Sequence, residues 1–481
     1  MRVLSVASEI QPLIKTGGLA DVVAALPGAL RPLGIHLKTL VPGYPAVRRA
    51  VPELAELLDL GSLGGGPARI LGAEAGGLDL LVLDAPHLFE RPGGPYGDAS
   101  GRDWPDNGER FAALARTAAD LAHGRLPGFA PDVVHAHDWQ AAMAPAYLRL
   151  APEPGPAAKS ILTVHNIAFQ GRFGADIFSH LGLPPEAFGI GGVEYYGGVG
   201  FLKAGLQAAD AITTVSPTYA AEIREARFGM GLEGLIETRR ERVSGIINGI
   251  DPAVWNPGTD PALPARYTAD DVARRRDNKR AVEQRFGLDE DDGPLFTVIS
   301  RLTWQKGMDV LAACLDDLVA QGGRLALLGS GDPALEAAFT AAAERHPGRI
   351  GVTIGYDEPL SHLLQGGADA ILIPSRFEPC GLTQLYGLAY GCVPVVARTG
   401  GLADTVIDAN LAALAAEVGT GFQFGEVSVP GLSTAIARAI NAFADAERWR
   451  TIQRNGMRAD FSWQESGRRY AQLYASLLEP A

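Results

Sequence analysis

The chain has 481 residues, 47% of them apolar and 20% charged, enough for two or more domains with sizeable cores and typical of globular proteins. A net charge of −13 leaves no basic stripe for a nucleic acid or an anionic membrane, so neither is an expected partner. Cys314, Cys380 and Cys392 have neither disulfide nor zinc spacing, no apolar run is long enough to span a bilayer, and a strand predicted from residue 2 leaves no leader before it; the expectation is a cytoplasmic protein.

In chain order, short apolar runs bounded by turn residues alternate with helical patterns, the mark of βα units and parallel sheets. Predicted strands in the first half are 2–8, 36–41, 79–84, 132–136, 160–164, 211–215 and 243–247. In the second half they are 294–300, 324–328, 349–354, 370–374 and 393–397. Segment 252–277 is rich in Pro, Asp and Ala without periodicity and reads as a linker. The expected fold is α/β, two doubly wound Rossmann-like domains facing each other across a cleft. They occupy 1–255 and 256–455, and a C-terminal helix over 456–481 docks back on the first. Segments 61–77 and 90–108 read as mobile insertions beside that cleft.

Ligands of such sheets bind beyond the carboxyl ends of the strands, so the residues there are the candidates. After 2–8 comes Lys15-Thr16-Gly17-Gly18, a lysine and glycine amides opening a helix near Asp21, suited to a phosphate oxygen. It matches neither a dinucleotide fingerprint nor a P-loop. After 132–136 stand His135, His137, Asp138 and Trp139. The His-x-His pair admits a metal reading but lacks further ligands in a cluster, whereas an indole beside a carboxylate suits a sugar. His165 and Asn166 end 160–164, with the histidine placed for proton or hydrogen-bond chemistry. Asn248, Gly249 and Asp251 follow 243–247 as a turn or a cleft contact.

Arg301 and Lys306, with Trp304 between them, follow 294–300 and suit a diphosphate whose charge grows on departure. Only six of the 42 basic residues are lysine, and two of these, Lys15 and Lys306, lie beside glycines in such loops. After 370–374 come Glu378, Cys380, Gly381 and Thr383: a carboxylate, exposed amides and a hydroxyl at a helix start. Cys380 has no histidine near it in sequence to make it a nucleophile. The run Gly-Gly-Leu-Ala-Asp occurs at both 17–21 and 400–404.

These motifs, with DWPDNGERF at 103–111, HAHDWQ at 135–140, TVHNIAFQG at 163–171, NGIDPAVWNP at 248–257, SRLTWQKGMDVL at 300–311 and EPCGLTQLYG at 378–387, span almost the whole chain. In them the sequence resembles the bacterial glycogen synthases and related starch synthases, glycosyltransferases of the two-domain GT-B type. The resemblance implies transfer of glucose from ADP-glucose to the non-reducing end of glycogen or another α-1,4-glucan, with retention of configuration and without metal or cofactor. It assigns Lys15 to the nucleotide sugar, Arg301 and Lys306 to the departing diphosphate, Gly18 and Thr383 to the phosphate region, and Tyr356 to the adenine. Asp138, His165, Asn248 and Glu378 would surround the glucose, with Asn166 next to His165 and main-chain contacts from Cys380 and Gly381. Tyr96 and Trp139 would lie near the donor or acceptor sugar. Tyr386 stands where the wider GT-B group often has a second Glu, as is usual in this branch. The alternatives are another retaining enzyme using UDP-glucose and a non-catalytic glucan-binding homologue.

Overall fold

Strand β1 (Arg2–Val6) is apolar on both faces because it lies inside a parallel sheet, where alternation gives way to a continuous apolar run. In the computed structural model, which describes residues 1–51, 53–151 and 158–479, each predicted strand is present with its ends shifted by a few residues. The last two residues of the predicted 456–481 segment lie outside the described residues.

The chain forms two units, Met1–Gly249 with Trp463–Ala481, and Ile250–Ser462. The first is built on β1, β2 (His36–Pro42), β3 (Ala55–Leu63), β4 (Gly66–Ala75), β5 (Leu78–Asp84), β6 (Val133–His137) and β7 (Lys159–Val164). A small three-stranded sheet follows, made of β8 (Arg172–Phe173), β9 (Glu194–Tyr195) and β10 (Gly198–Gly200), before β11 (Ala211–Thr214) and β12 (Val243–Gly245) complete the large one. The large sheet runs β12-β11-β7-β6-β1-β2-β5-β4-β3, parallel except for the antiparallel edge formed by β3 and β4. The second unit has β13 (Leu295–Leu302), β14 (Arg324–Gly331), β15 (Ile350–Ile354), β16 (Ala370–Ile373), β17 (Val393–Ala397) and β18 (Phe422–Phe424). Its sheet is all parallel, in the order β15-β14-β13-β16-β17-β18. Each sheet reverses its winding once, between β1 and β6 in the first and between β13 and β16 in the second. A crevice for a ligand opens at such a reversal.

Three expectations are corrected. Segment 61–77, read as a mobile loop, is mostly strand: β4 pairs with β5 on one side and β3 on the other. Its glycines hid the alternation, and Gly72 leaves room for the Leu57 side chain, which would lie 2.4 Å from a Cβ there. Segment 90–108 is tied down: Arg91 makes two bonds to Asp106, Trp104 Nε1 donates to the Gly94 carbonyl and Asn107 Nδ2 to that of Tyr96. Segment 252–277 is packed into the second unit. The Trp255 ring lies between those of His362 at 3.9 Å and Tyr386 at 3.6 Å, and the Tyr267 hydroxyl donates to the Tyr390 carbonyl.

The helix Trp463–Leu478 belongs to the first unit's core, where Trp463, Tyr470 and Tyr474 pack among Val22, Leu26, Leu30, Val133 and Ile161. Burying side chains of this size stabilises by about 1.5–3 kcal/mol each. Gly467 lets the helix approach Ala29 closely; a Cβ there would stand 2.9 Å from that alanine's. Among the described residues no helix is long and apolar enough to cross a membrane.

Candidate active site

In the first unit, β1, β6 and β7 lie side by side at the winding reversal, and each carries a polar group past its end. Beyond β1 comes Glu9, 3% exposed, which sequence reasoning missed. Its carboxylate accepts from the Thr16 amide and hydroxyl and from the Tyr96 hydroxyl, so one buried side chain fixes both the Lys15–Gly18 loop and Tyr96. The signal was a lone carboxylate after the strand, masked by Ile10 and Pro12 around it. Burial and Glu9 hold the Tyr96 phenol well above its usual value. Lys15 is half-exposed and bonds Asp21 at 2.7 Å, and nothing among the described residues lies within 4 Å of where a Cβ on Gly17 or Gly18 would sit.

Past β6, Asp138 takes a positive φ of 55°, turning its carboxylate back so that Oδ1 accepts from the His165 amide at 2.7 Å and the Asn166 amide at 3.4 Å. That brings together Asp138, His165 and Asn166. Burial pushes the Asp138 carboxyl up to about 7 and the His165 imidazole down to about 3. His137 Nδ1 meets His165 Nε2 at 3.0 Å, and burial with two neighbouring imidazoles holds it well below its usual value. His135 is spent elsewhere: its ring nitrogens bond the Tyr474 hydroxyl at 2.8 Å and the Thr163 hydroxyl at 2.6 Å. Near neutrality the pocket is therefore a set of uncharged donors and acceptors around a half-protonated carboxyl, chemistry suited to a hydroxyl-rich neutral ligand.

Trp139 does not offer an open ring face. It is 9% exposed and packs on Phe111 at 5.1 Å and Phe173 at 5.9 Å, with Gly171 so close that a Cβ would stand 2.2 Å from the indole. Asn248 follows β12 at the far edge of the sheet, buried, its Oδ1 without a partner among the described residues.

In the second unit the ends of β13 and β16 are locked together. Lys306 Nζ lies 2.5 Å from Glu378 Oε2, which also accepts from the Ser375 hydroxyl at 2.9 Å. Both members of the pair are largely buried, Glu378 at 8% exposure. Arg376 holds the two loops in register with bonds to both Asp309 oxygens and to the Gln305 and Trp304 backbones, while its guanidinium lies 4.4 Å from the Trp304 ring. Gly307 has φ 70°, and a Cβ on it would fall 1.9 Å from the Pro374 carbonyl oxygen. Arg301 is exposed at the end of β13. Cys380 is buried, Gly381 has φ 70°, and Gln384 Nε2 bonds the carbonyls of both. Thr383 begins the helix Thr383–Tyr390. Tyr356, past β15, is 78% exposed, and its hydroxyl donates to Glu358 at 3.3 Å. Ser375 and Arg376 open the stretch 375–383 that stands out in the sequence, but no role for either is legible there; their roles exist only once β13 and β16 are neighbours.

A model of the starch synthase catalytic domain matches residues 2–238, and one of glycosyl transferases group 1 matches 280–456. A glycogen synthase of Novosphingobium aromaticivorans is 64% identical over 99% of both chains, and one of Mesorhizobium japonicum 62% identical over 99% of both. The catalytic domain of starch synthase IV from Arabidopsis thaliana, bound to ADP and acarbose, matches 98% of both chains with a TM-score of 0.87 at 32% identity. A sucrose-phosphate synthase from Thermosynechococcus elongatus, at 17% identity and a TM-score of 0.58, shares the fold alone.

Proposed function

Because this chain belongs to the glycogen and starch synthase family, with its GT-B architecture, we propose that it transfers glucose from ADP-glucose to the non-reducing end of an α-1,4-glucan, retaining configuration. The observation that carries this reading is the match, over 98% of both chains, to a starch synthase catalytic domain whose structure holds ADP and acarbose, a nucleotide and a glucan-like sugar. The enzyme would act in the cytoplasm, on a soluble donor and a polymeric acceptor.

In this reading Arg301 and Lys306 receive the negative charge that builds on ADP as the glycosidic bond breaks. Glu378, itself bonded by the Ser375 hydroxyl, holds the Lys306 ammonium in place, so stabilisation needs no reorganisation at that moment. Lys15 and the amides of Gly17 and Gly18 contact the donor's phosphates, and the amides around Cys380 and Gly381 its hydroxyls. Asp138, half-protonated near neutrality, accepts from or donates to the glucose, and His165 hydrogen-bonds it without adding charge. Tyr96 and Asn248 complete the sugar's surroundings. The incoming glucan hydroxyl attacks the face that the diphosphate leaves, and the departing phosphate takes its proton.

The test is nucleoside diphosphate release by purified protein given glycogen and either ADP-glucose or UDP-glucose, with Glu378→Gln alongside. Release from ADP-glucose, lost in the variant, is expected. Preference for UDP-glucose overturns the donor assignment, and no release from either overturns the reaction.

A further inference from the structure

His137 lies one residue before Asp138 and touches no position that the reaction assigns to substrate, yet its ring meets the one histidine that does. His137 is fully buried, Nδ1 lies 3.0 Å from His165 Nε2, and Nε2 has no partner among the described residues. Both rings are neutral, so one proton is shared across that contact and only two arrangements exist. If His165 donates from Nε2, His137 must carry its own proton on Nε2, where a buried N–H is stranded. If His137 donates from Nδ1, its Nε2 is a bare nitrogen, and the N–H left over is that of His165 Nδ1, which is not among the fully buried atoms without a partner. Stranded buried N–H groups are the rarer and costlier defect.

The second arrangement decides what His165 presents. With Nε2 accepting from His137, the His165 proton sits on Nδ1, which has no partner among the described residues. The neighbouring groups are rich in acceptors: the Asp138 carboxyl and, beyond it, the Glu9 carboxylate. A donor at His165 Nδ1 supplies what a sugar hydroxyl bonded to Asp138 would still lack. The His137 ring also packs, tilted by 33°, against that of His135 at 4.2 Å, whose nitrogens are both engaged.

We infer that His137 is a positioning residue that fixes His165 as the Nδ1–H tautomer, so that His165 donates a hydrogen bond to a hydroxyl of the bound glucose. The inference rests on the proposed transferase reading only for the identity of the ligand. Its test is the two-bond proton–nitrogen correlation spectrum of protein labelled with 15N-histidine, with His165 assigned through His165→Gln. The expected spectrum has His165 protonated on Nδ1 and bare on Nε2. Protonation on Nε2 overturns the inference whether or not the protein is active. In His137→Phe, which keeps the ring and removes both nitrogens, His165 becomes a tautomer mixture and kcat falls about tenfold or more, as for loss of an orienting partner. His137→Asn, whose amide nitrogen lies near the Nδ1 position, restores most of kcat and the wild-type His165 signals. An unchanged His165 spectrum in a folded His137→Phe overturns the inference. Should that variant fail to fold, the wild-type and His137→Asn spectra still decide it. A protein that gives the expected spectrum but releases no nucleotide leaves this inference standing and sinks the reaction alone.

Discussion

The two units carry the same five residues, Gly-Gly-Leu-Ala-Asp, and use them in opposite ways. At 17–21 the glycines are exposed, with open space around them. At 400–404 they are buried, and a Cβ on Gly400 or Gly401 would stand 2.0 Å from the carbonyl oxygen of Glu378 or Cys380. The first copy lies open to solvent; the second lets a helix press against the loop that holds Glu378. The groups beside them diverge in the same way. The first unit gathers neutral imidazoles and a half-protonated carboxyl, the second a fixed cation–carboxylate pair. Sequence identity over a short run does not carry environment with it. Here the same five residues leave one loop open and close another.

The contrast breaks first at the ion pair. Lys306→Ala removes the positioned cation and is expected to lower kcat by about 10²–10³-fold, measured as ADP release by protein whose circular dichroism is unchanged. Glu378→Gln keeps the shape but discharges the pair, and a smaller though still severe loss is expected. Near-normal rates in either folded variant would remove that residue from the mechanism.

The neutral pocket is tested by pH. The Asp138 value of about 7 lies above the ordinary 3.8, so the native protein keeps a proton that the unfolded chain releases over that interval. Its contribution is complete below about pH 4 and lost as pH rises through 7. Asp138→Asn should therefore gain on the wild type by on the order of 2–4 kcal/mol between pH 4 and 8 in urea unfolding. A constant difference would show that Asp138 is ionised throughout. His165 runs the other way: with its value near 3 against the ordinary 6.5, its contribution is present above 6.5 and fades as pH falls toward 3.

Two smaller effects sharpen the comparison. Gly401→Ala should cost about 1–3 kcal/mol in thermal or urea unfolding, as overpacking does, together with activity. Gly18→Ala should unfold like the wild type and bind the nucleotide sugar less well. Equal stability losses in the two would erase the distinction drawn between the copies. Smallest is Tyr474→Phe, which deletes one buried hydrogen bond to His135 and should cost about 1 kcal/mol in urea unfolding.

Most strands were legible because buried parallel strands are uninterrupted apolar runs, as in Ala370–Ile373, and the groups after them could be read as a set. The β3–β4 edge was not, since Gly61, Gly64, Gly65, Gly66 and Gly72 break its alternation. The Lys306 and Glu378 positions were legible as chemistry at two strand ends, but their contact depends on β13 and β16 being neighbours across 72 residues of sequence. Trp139 misled because an indole next to an acid looks the same in sequence whether it faces a ligand or, as here, Phe111 and Phe173. Glu9 was overlooked because its partners, Thr16 and Tyr96, lie in segments that only the fold brings to it.

The helix Trp463–Leu478 completes a core begun at Val3, and that imposes an order on biosynthesis. During translation the first unit's sheet emerges early, yet the tyrosines that seal it are made only after some 210 intervening residues have been added. At typical elongation rates that is a delay of about 10–40 s. Through that interval the first unit lacks the side chains that cover Val22, Leu26 and Val133, so its core stays unsealed until the chain is almost finished. Chains that lack residues 463–481 should accordingly be cut by protease more readily in the first unit than the full chain is.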